Sequence, residues 1–184
     1  MMKKIMVLLT TVVLSFALTG CASYDEVYDK NYLRAISFEE NTNKKVVFSF
    51  YDNNAELLSE SGSSFDEIRS NAELECGKTI FTGHTELIIL GECDYAETLT
   101  FLLKVWKVSP SCLVAYGGKQ ASELLNSDNS EELADSVRKA VEQGISPKCD
   151  IITVLSGLLG NGKSAEIAEI TENGIKDSHI INLR

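Results

Sequence analysis

Gly157-Leu158-Leu159-Gly160-Asn161-Gly162-Lys163-Ser164 matches the phosphate-binding loop pattern letter for letter. That chemistry needs a strand before the loop, a helix after it, and a later strand bearing an acid for magnesium. Only twenty residues follow Ser164, and they read as a β-hairpin. The expectation is therefore a glycine-rich connection between sheet elements, with no nucleotide bound. His84 and His179 are the two histidines. His84 stands two residues from Glu86, so a serine brought beside it would complete a hydrolase-like pair. The competing expectation is a hydrogen-bonded histidine at a strand edge, because no serine sits in a nucleophile-elbow pattern. Cys76, Cys93, Cys112 and Cys149 are an even set that allows three pairings. Cys76 and Cys112 fall on apolar faces, where a free thiol packs as a small hydrophobe, so the disulfide question stays open. No CxxC spacing exists, which argues against zinc or a redox motif. No catalytic, cofactor-binding or metal site is assigned.

Cys21 carries a different chemistry. Lys3-Lys4 begins the chain, Ile5 to Leu18 is an apolar stretch, and Leu18-Thr19-Gly20-Cys21 ends it. This resembles the bacterial lipobox, in which the cysteine is acylated after cleavage. The expectation is a cleaved lipoprotein signal peptide over 1–20, lipid attachment at Cys21, and a single globular domain over 21–184 on the extracytoplasmic face of the cell membrane. Several acyl chains, at about 0.8 kcal/mol per buried methylene, hold a protein to a bilayer.

The elements that must position these residues follow from periodicity. Four consecutive large aliphatics, Leu87 to Leu90, lie between Gly83 and Gly91 and read as a central strand over about 83–91, buried on both faces. Ser64 with Glu67 forms a capping box before a helix over 64–76. Asp94 caps a second helix over 95–106, and Pro110 is the expected stop. Trp106, at its end, is expected in the core. Tyr32–Phe38 and Val46–Phe50 alternate about a polar turn, which predicts a hairpin; residues 55–59 extend the sheet or lead on. Cys112–Tyr116 reads as a strand, followed by a short helix burying Ala121, Leu124 and Leu125. Leu133, Ala134, Val137, Ala140 and Val141 mark another helix. Ile151 to Leu155 fits a strand or a short helix. Asn173-Gly174, between apolar runs, closes a terminal hairpin. The predicted fold class is α+β: a mixed sheet with a buried central strand, terminal hairpins and three to four packing helices.

The chain has 184 residues, 44% of them hydrophobic, and a formal charge of -10. It is near -12 without the leader, which holds two lysines and no acid. That charge repels phosphate backbones, so nucleic acid is not an expected partner. It also disfavours a peripheral grip on anionic lipid. Asp25, Glu26 and Asp29 read as a solvated acidic face near the anchor.

From Ile80-Phe81-Thr82-Gly83-His84-Thr85-Glu86 through Leu87-Ile88-Ile89-Leu90-Gly91-Glu92, the sequence resembles the Ger(x)C family, the lipoprotein C subunits of spore germinant receptors. The passage Leu113-Val114-Ala115-Tyr116-Gly117-Gly118 through Leu124-Leu125 is similar to the family as well. Where the family carries a charged Arg-Asp stretch, this chain has Trp106-Lys107-Val108-Ser109. The resemblance implies a non-enzymatic subunit of a nutrient receptor in the spore inner membrane, partnered by polytopic membrane subunits. It carries no catalytic residue and no cofactor. The alternative is an extracytoplasmic lipoprotein, unrelated to germination, that holds a ligand or protein in a crevice at the ends of its strands.

Overall fold

The structure is a computed structural model that describes residues 29–52, 57–125 and 129–183. The leader, Cys21, Asp25 and Glu26 lie outside the described residues. The described chain forms one mixed sheet of eight strands. β1 (Lys30–Glu40), β2 (Lys44–Phe50) and β3 (Leu58–Gly62) make an antiparallel meander. After helix α1 (Phe65–Cys76), β4 (Thr79–Phe81) and β5 (Leu87–Leu90) both run parallel to β1. Helix α2 (Tyr95–Phe101) continues into a π-turn (Leu102–Trp106) and leads to β6 (Leu113–Tyr116), parallel to β5. Helices α3 (Ala121–Leu124), α4 (Ser130–Glu142) and α5 (Ile151–Leu159) precede β7 (Ser164–Thr171), which is parallel to β6 and forms the closing hairpin with β8 (Gly174–Asn182). The path across the sheet is β3-β2-β1-β5-β6-β7-β8, with β4 beside β1.

Both faces of the sheet are covered, and two consecutive residues prove it. Phe38 packs edge-on to Phe65 of α1 at 5.6 Å and lies 6.1 Å from Trp106. Glu39 turns the other way and accepts a hydrogen bond from the Ser122 amide of α3 at 2.7 Å. Neighbouring strand residues point to opposite faces, so α1 and α2 cover one face and α3 the other. The four residues of β5 are completely buried between these layers, each worth roughly 1.5–3 kcal/mol of apolar burial.

Three helices start on side-chain caps. The Ser64 hydroxyl accepts from the Glu67 amide at 3.2 Å, Asp94 from the Glu97 amide at 2.9 Å and Asp150 from the Thr153 amide at 3.0 Å. In the first of these the returning Glu67 carboxylate reaches one residue further back than the capping box implies. It accepts from the Ser63 amide at 2.9 Å and hydroxyl at 2.7 Å, and these bonds pull its pKa down.

The α+β class, the burial of Trp106 and the helical alternative for Ile151 hold, while the bounds of several elements need adjustment. The central strand is Leu87–Leu90, shorter than 83–91, because Thr82–Thr85 closes a turn before it. The segment from Ile151 is helical, and with it the described residues hold five α-helices. The second helix ends at Lys107, whose left-handed φ of 58° lets its amide bond Leu102 across the π-turn. Pro110 comes three residues later and is not the stop. Trp106 is only 2% exposed and packs among Phe38, Phe48, Phe65 and Phe101. No described helix is long and apolar enough to cross a membrane.

Candidate functional site

The turn that shortens the central strand organises the candidate site. Thr85 returns both its amide (3.1 Å) and its hydroxyl (2.7 Å) to the Thr82 carbonyl. The Thr82 hydroxyl donates to the Trp106 carbonyl, tying the turn to the end of the π-turn. Both threonines are buried. At Gly83 the absence of a side chain leaves room for the tip of the Phe81 ring, which a Cβ would meet at 2.9 Å. Pairing resumes at Glu86, whose amide bonds the Arg34 carbonyl at 2.8 Å.

Five residues thus separate β4 from β5, and their polar groups open into a cleft of about 380 Å³ at the amino ends of the parallel strands. Tyr51, His84, Glu86, Ser109, Ser111 and Arg138 contribute to its walls. Tyr51 follows directly on β2. Its hydroxyl donates to the His84 carbonyl at 2.9 Å, and the Arg34 guanidinium lies over its ring at 4.6 Å. Burial, reinforced by the charge and hydrogen bond of Glu86, pushes the Tyr51 hydroxyl up to about 12. Arg34 also pairs with Glu131 of α4 at 2.6 Å. Arg138, further along α4, pairs with Asp135 and stands 3.9 Å from Glu86. The cleft is therefore polar with nearly balanced charge.

His84 lies in the turn, outside the strand it was expected to enter. Ser109 and Ser111 line the same cleft, yet their hydroxyls bond each other at 2.9 Å. Among the described residues neither serine hydrogen-bonds His84, so no nucleophile–base pair is assembled. His179 sits in β8 at the opposite end of the sheet. It stacks on Tyr116 with ring centres 3.7 Å apart and its Nδ1 lies 3.8 Å from Glu169. Tyr116 donates to Glu92 at 2.8 Å; burial and that carboxylate raise its pKa well above the usual tyrosine value.

The phosphate-loop pattern is accounted for by packing. Its first three residues belong to helix α5, and a strand follows, which reverses the order the motif needs. This corrects the expected connection between sheet elements: it joins a helix to a strand. A Cβ at Gly157 would lie 2.7 Å from the Ser164 carbonyl, so glycine lets α5 approach β7. Among the described residues no two cysteines are joined by a disulfide. Cys112 and Cys149 flank an isolated antiparallel bridge between Leu113 and Asp150, and burial raises both thiols. Among the described residues no group of three or more His, Cys, Asp or Glu side chains is placed to hold a metal.

Periodicity located the strands that frame the cleft but not Tyr51, Arg34 or Arg138. Tyr51 reads as one more aromatic in an alternating hairpin, and Arg138 as a charge on the polar side of an amphipathic helix.

No curated protein and no solved structure matches the chain. A family match, described as the spore germination protein N-terminal domain, covers residues 23–172. It takes in everything from the first hairpin to the turn after β7, including the Thr82–Glu86 turn and the whole cleft, and leaves β8 outside. With well over half of its length matched, the chain belongs to the spore germination protein N-terminal domain family.

Proposed function

We propose that the protein is a membrane-anchored lipoprotein that serves as a non-enzymatic subunit of a spore germinant receptor. The family match carries the reading. Two features support it. The segment Leu18-Thr19-Gly20-Cys21 supplies an attachment point two residues before the matched stretch begins. The polar cleft walls of Tyr51, Glu86 and Arg138 offer a surface that can hold a partner. In this reading residues 1–20 are removed, Cys21 is acylated, and residues 21–184 form the mature domain outside the cytoplasm, on the spore inner membrane. Its partners are polytopic receptor subunits. A tether confines the domain to a thin shell above the bilayer and raises its effective concentration for them.

The test is nutrient-triggered dipicolinate release from spores lacking the gene and from spores carrying Cys21→Ala. Loss in both supports the receptor role and the anchor. Normal release in both, across a broad nutrient panel, rejects the role. The polar cleft favours one second reading, an extracytoplasmic ligand- or protein-binding lipoprotein unrelated to germination; normal release together with ligand-dependent stabilisation of the purified protein would select it.

A further inference from the structure

Glu86 and Arg138 face each other in the cleft without touching. Their nearest atoms are 3.9 Å apart, beyond hydrogen-bond reach, and the side chains are 32% and 44% exposed. A carboxylate only accepts and a guanidinium only donates. The group that satisfies both from one position is a hydroxyl, which accepts and donates through a single oxygen. An ammonium would satisfy Glu86 and be repelled by Arg138; a carboxylate would do the reverse. Ser109 and Ser111 bring further hydroxyls to the same cleft. They share one bond of 2.9 Å, which uses one of their two hydrogens and leaves the other for a ligand. The surroundings do not favour an anion. Arg34 already pairs with Glu131 at 2.6 Å and Arg138 with Asp135, so neither arginine is a spare cation for a carboxylate or a phosphate. The overall charge of -10 works in the same direction. A neutral, hydroxyl-bearing ligand fits best.

Aromatic rings border this polar surface. His84 lines the cleft and is exposed. Its ring stacks toward Tyr32 at 6.1 Å and lies 5.4 Å from Phe81, and Tyr32 and Phe81 are 5.3 Å apart. Gly83 fixes where Phe81 sits relative to the cleft: Gly83 lines it, and a Cβ there would stand 2.9 Å from the tip of the Phe81 ring. Phe81 remains 36% exposed. The buried Thr82 and Thr85 hold the turn that carries these residues, so the rings and the polar groups keep their places relative to each other. Rings take the apolar face of an amphipathic ligand, while Glu86, Arg138 and the serines take its hydroxyl edge. A pyranose sugar carries both surfaces in one small ring, with hydroxyls around its edge and C–H bonds across its face. The cleft volume of about 380 Å³ is within the range of small-ligand pockets.

We infer that the cleft is a saccharide-binding site, in which Glu86 and Arg138 hold sugar hydroxyls and His84 and Phe81 pack against the C–H face of the ring. A free sugar and one unit of a glycan strand share this chemistry. The inference deepens the binding role given under Proposed function and rests on its non-enzymatic reading, while needing neither the anchor nor germination.

The test uses the full chain in a polyoxyethylene detergent, which carries no sugar. Backbone amide resonances are followed while D-glucose, N-acetylglucosamine or the tetramer of N-acetylglucosamine is added. At least one of the three should shift the amides of residues 82–86 and 109–113 and saturate at about 1–10 mM. Arg138→Ala and Glu86→Gln should each weaken that binding about tenfold, and His84→Ala about fivefold. Lys119→Ala, in the turn after β6 at the opposite end of the sheet, should stay within about twofold. Arg138 is a half-exposed helix position, so its variant keeps the test readable if Glu86→Gln disturbs the fold. A tetramer that binds about tenfold tighter than the single sugar identifies a glycan strand as the source; equal binding identifies a lone sugar unit. The inference is overturned if none of the three sugars gives a saturable shift in the cleft. It is also overturned if alanine or inorganic phosphate moves the same amides at lower concentration, or if Lys119→Ala weakens binding as much as Arg138→Ala. Sugar binding together with normal dipicolinate release from spores lacking the gene rejects the receptor role and keeps the site. No sugar binding together with lost release rejects the site alone.

Discussion

At the carboxyl ends of β1, β5 and β6 the backbone closes on itself. The Gly91 amide bonds the Phe38 carbonyl at 2.7 Å, the Gly117 amide bonds the Leu90 carbonyl at 2.9 Å, and Glu40 bonds Glu92 at 2.8 Å. A Cβ at Gly91 would stand 2.9 Å from two carbonyl oxygens. At the amino ends the same strands are finished by long side chains: Tyr51, Arg34, Glu86, Arg138 and Glu131 around an open cleft. Open α/β sheets generally place their ligands beyond the carboxyl ends. Here glycines have filled that position with backbone, and the polar, adaptable surface has moved to the opposite end, the same pole that carries the exposed rings. The difference shows that the usual location depends on room above the strands, which close amide-to-carbonyl packing removes.

The strongest way to break this contrast is Gly117→Ala. Its Cβ would lie 2.7 Å from Ile89 and 2.9 Å from the Ala121 Cα. Overpacking against backbone should cost about 3 kcal/mol, read as a fall in Tm of roughly 6–12 °C. A loss no larger than that of the amino-end variants would show that the carboxyl end is not tightly closed.

Arg34→Ala comes next. It removes a mostly buried guanidinium from Tyr51 and Glu131, but Glu131 is 65% exposed and water can replace the lost partner. A cost of about 1–2 kcal/mol is expected from denaturant unfolding. A loss above that of Gly117→Ala would make the open end the more rigid one.

Tyr51→Phe sharpens the comparison through pH. It deletes one hydrogen bond, worth about 1 kcal/mol. Because the folded Tyr51 hydroxyl titrates near 12, above its ordinary 10, its contribution is fully present below pH 10 and disappears as pH rises from 10 through 12. Tyrosinate absorbance should therefore lose one late-titrating component in the variant, leaving Tyr116 of the closed end. An unaltered titration curve would place Tyr51 in ordinary solvent.

The smallest effect belongs to the β3 edge, away from both ends. Glu60 has a raised pKa, chiefly from its hydrogen bond with Glu75, then from burial and the Glu75 charge. That raised value stabilises the fold at acid pH, and the benefit fades as pH climbs through it. Glu60→Gln should raise stability at pH 7 by no more than about 0.5 kcal/mol and give no gain below pH about 4. A gain independent of pH would rule out carboxyl repulsion as its origin.

How much of this was legible beforehand varies from one element to the next. The first and last hairpins were readable because period-two alternation and turn chemistry are local. So were the starts of α1 and α2, where Ser64 and Asp94 bond amides three residues on. The left edge of the central strand was not. Thr82 and Thr85 look like strand residues; the turn that Thr85 closes on the Thr82 carbonyl is anchored by the Trp106 carbonyl, far along the chain. The candidate cleft was half visible: His84, Glu86 and the serines stood out as chemical groups. Tyr51, Arg34 and Arg138 acquire meaning from a hairpin and a helix brought together across the sheet.

By itself, then, the order of residues determined the family, the hairpins, the capped helix starts and the burial of Leu87–Leu90, since each depends on side chains within a few positions of one another. The tertiary structure decided which end of the strands stays open, that the phosphate-loop pattern is a helix end, that no disulfide joins the described cysteines and that Tyr32, Phe81 and His84 meet. Those outcomes turn on distances of a few ångströms between residues tens of positions apart, which are set only when the sheet registers and the helices pack upon it.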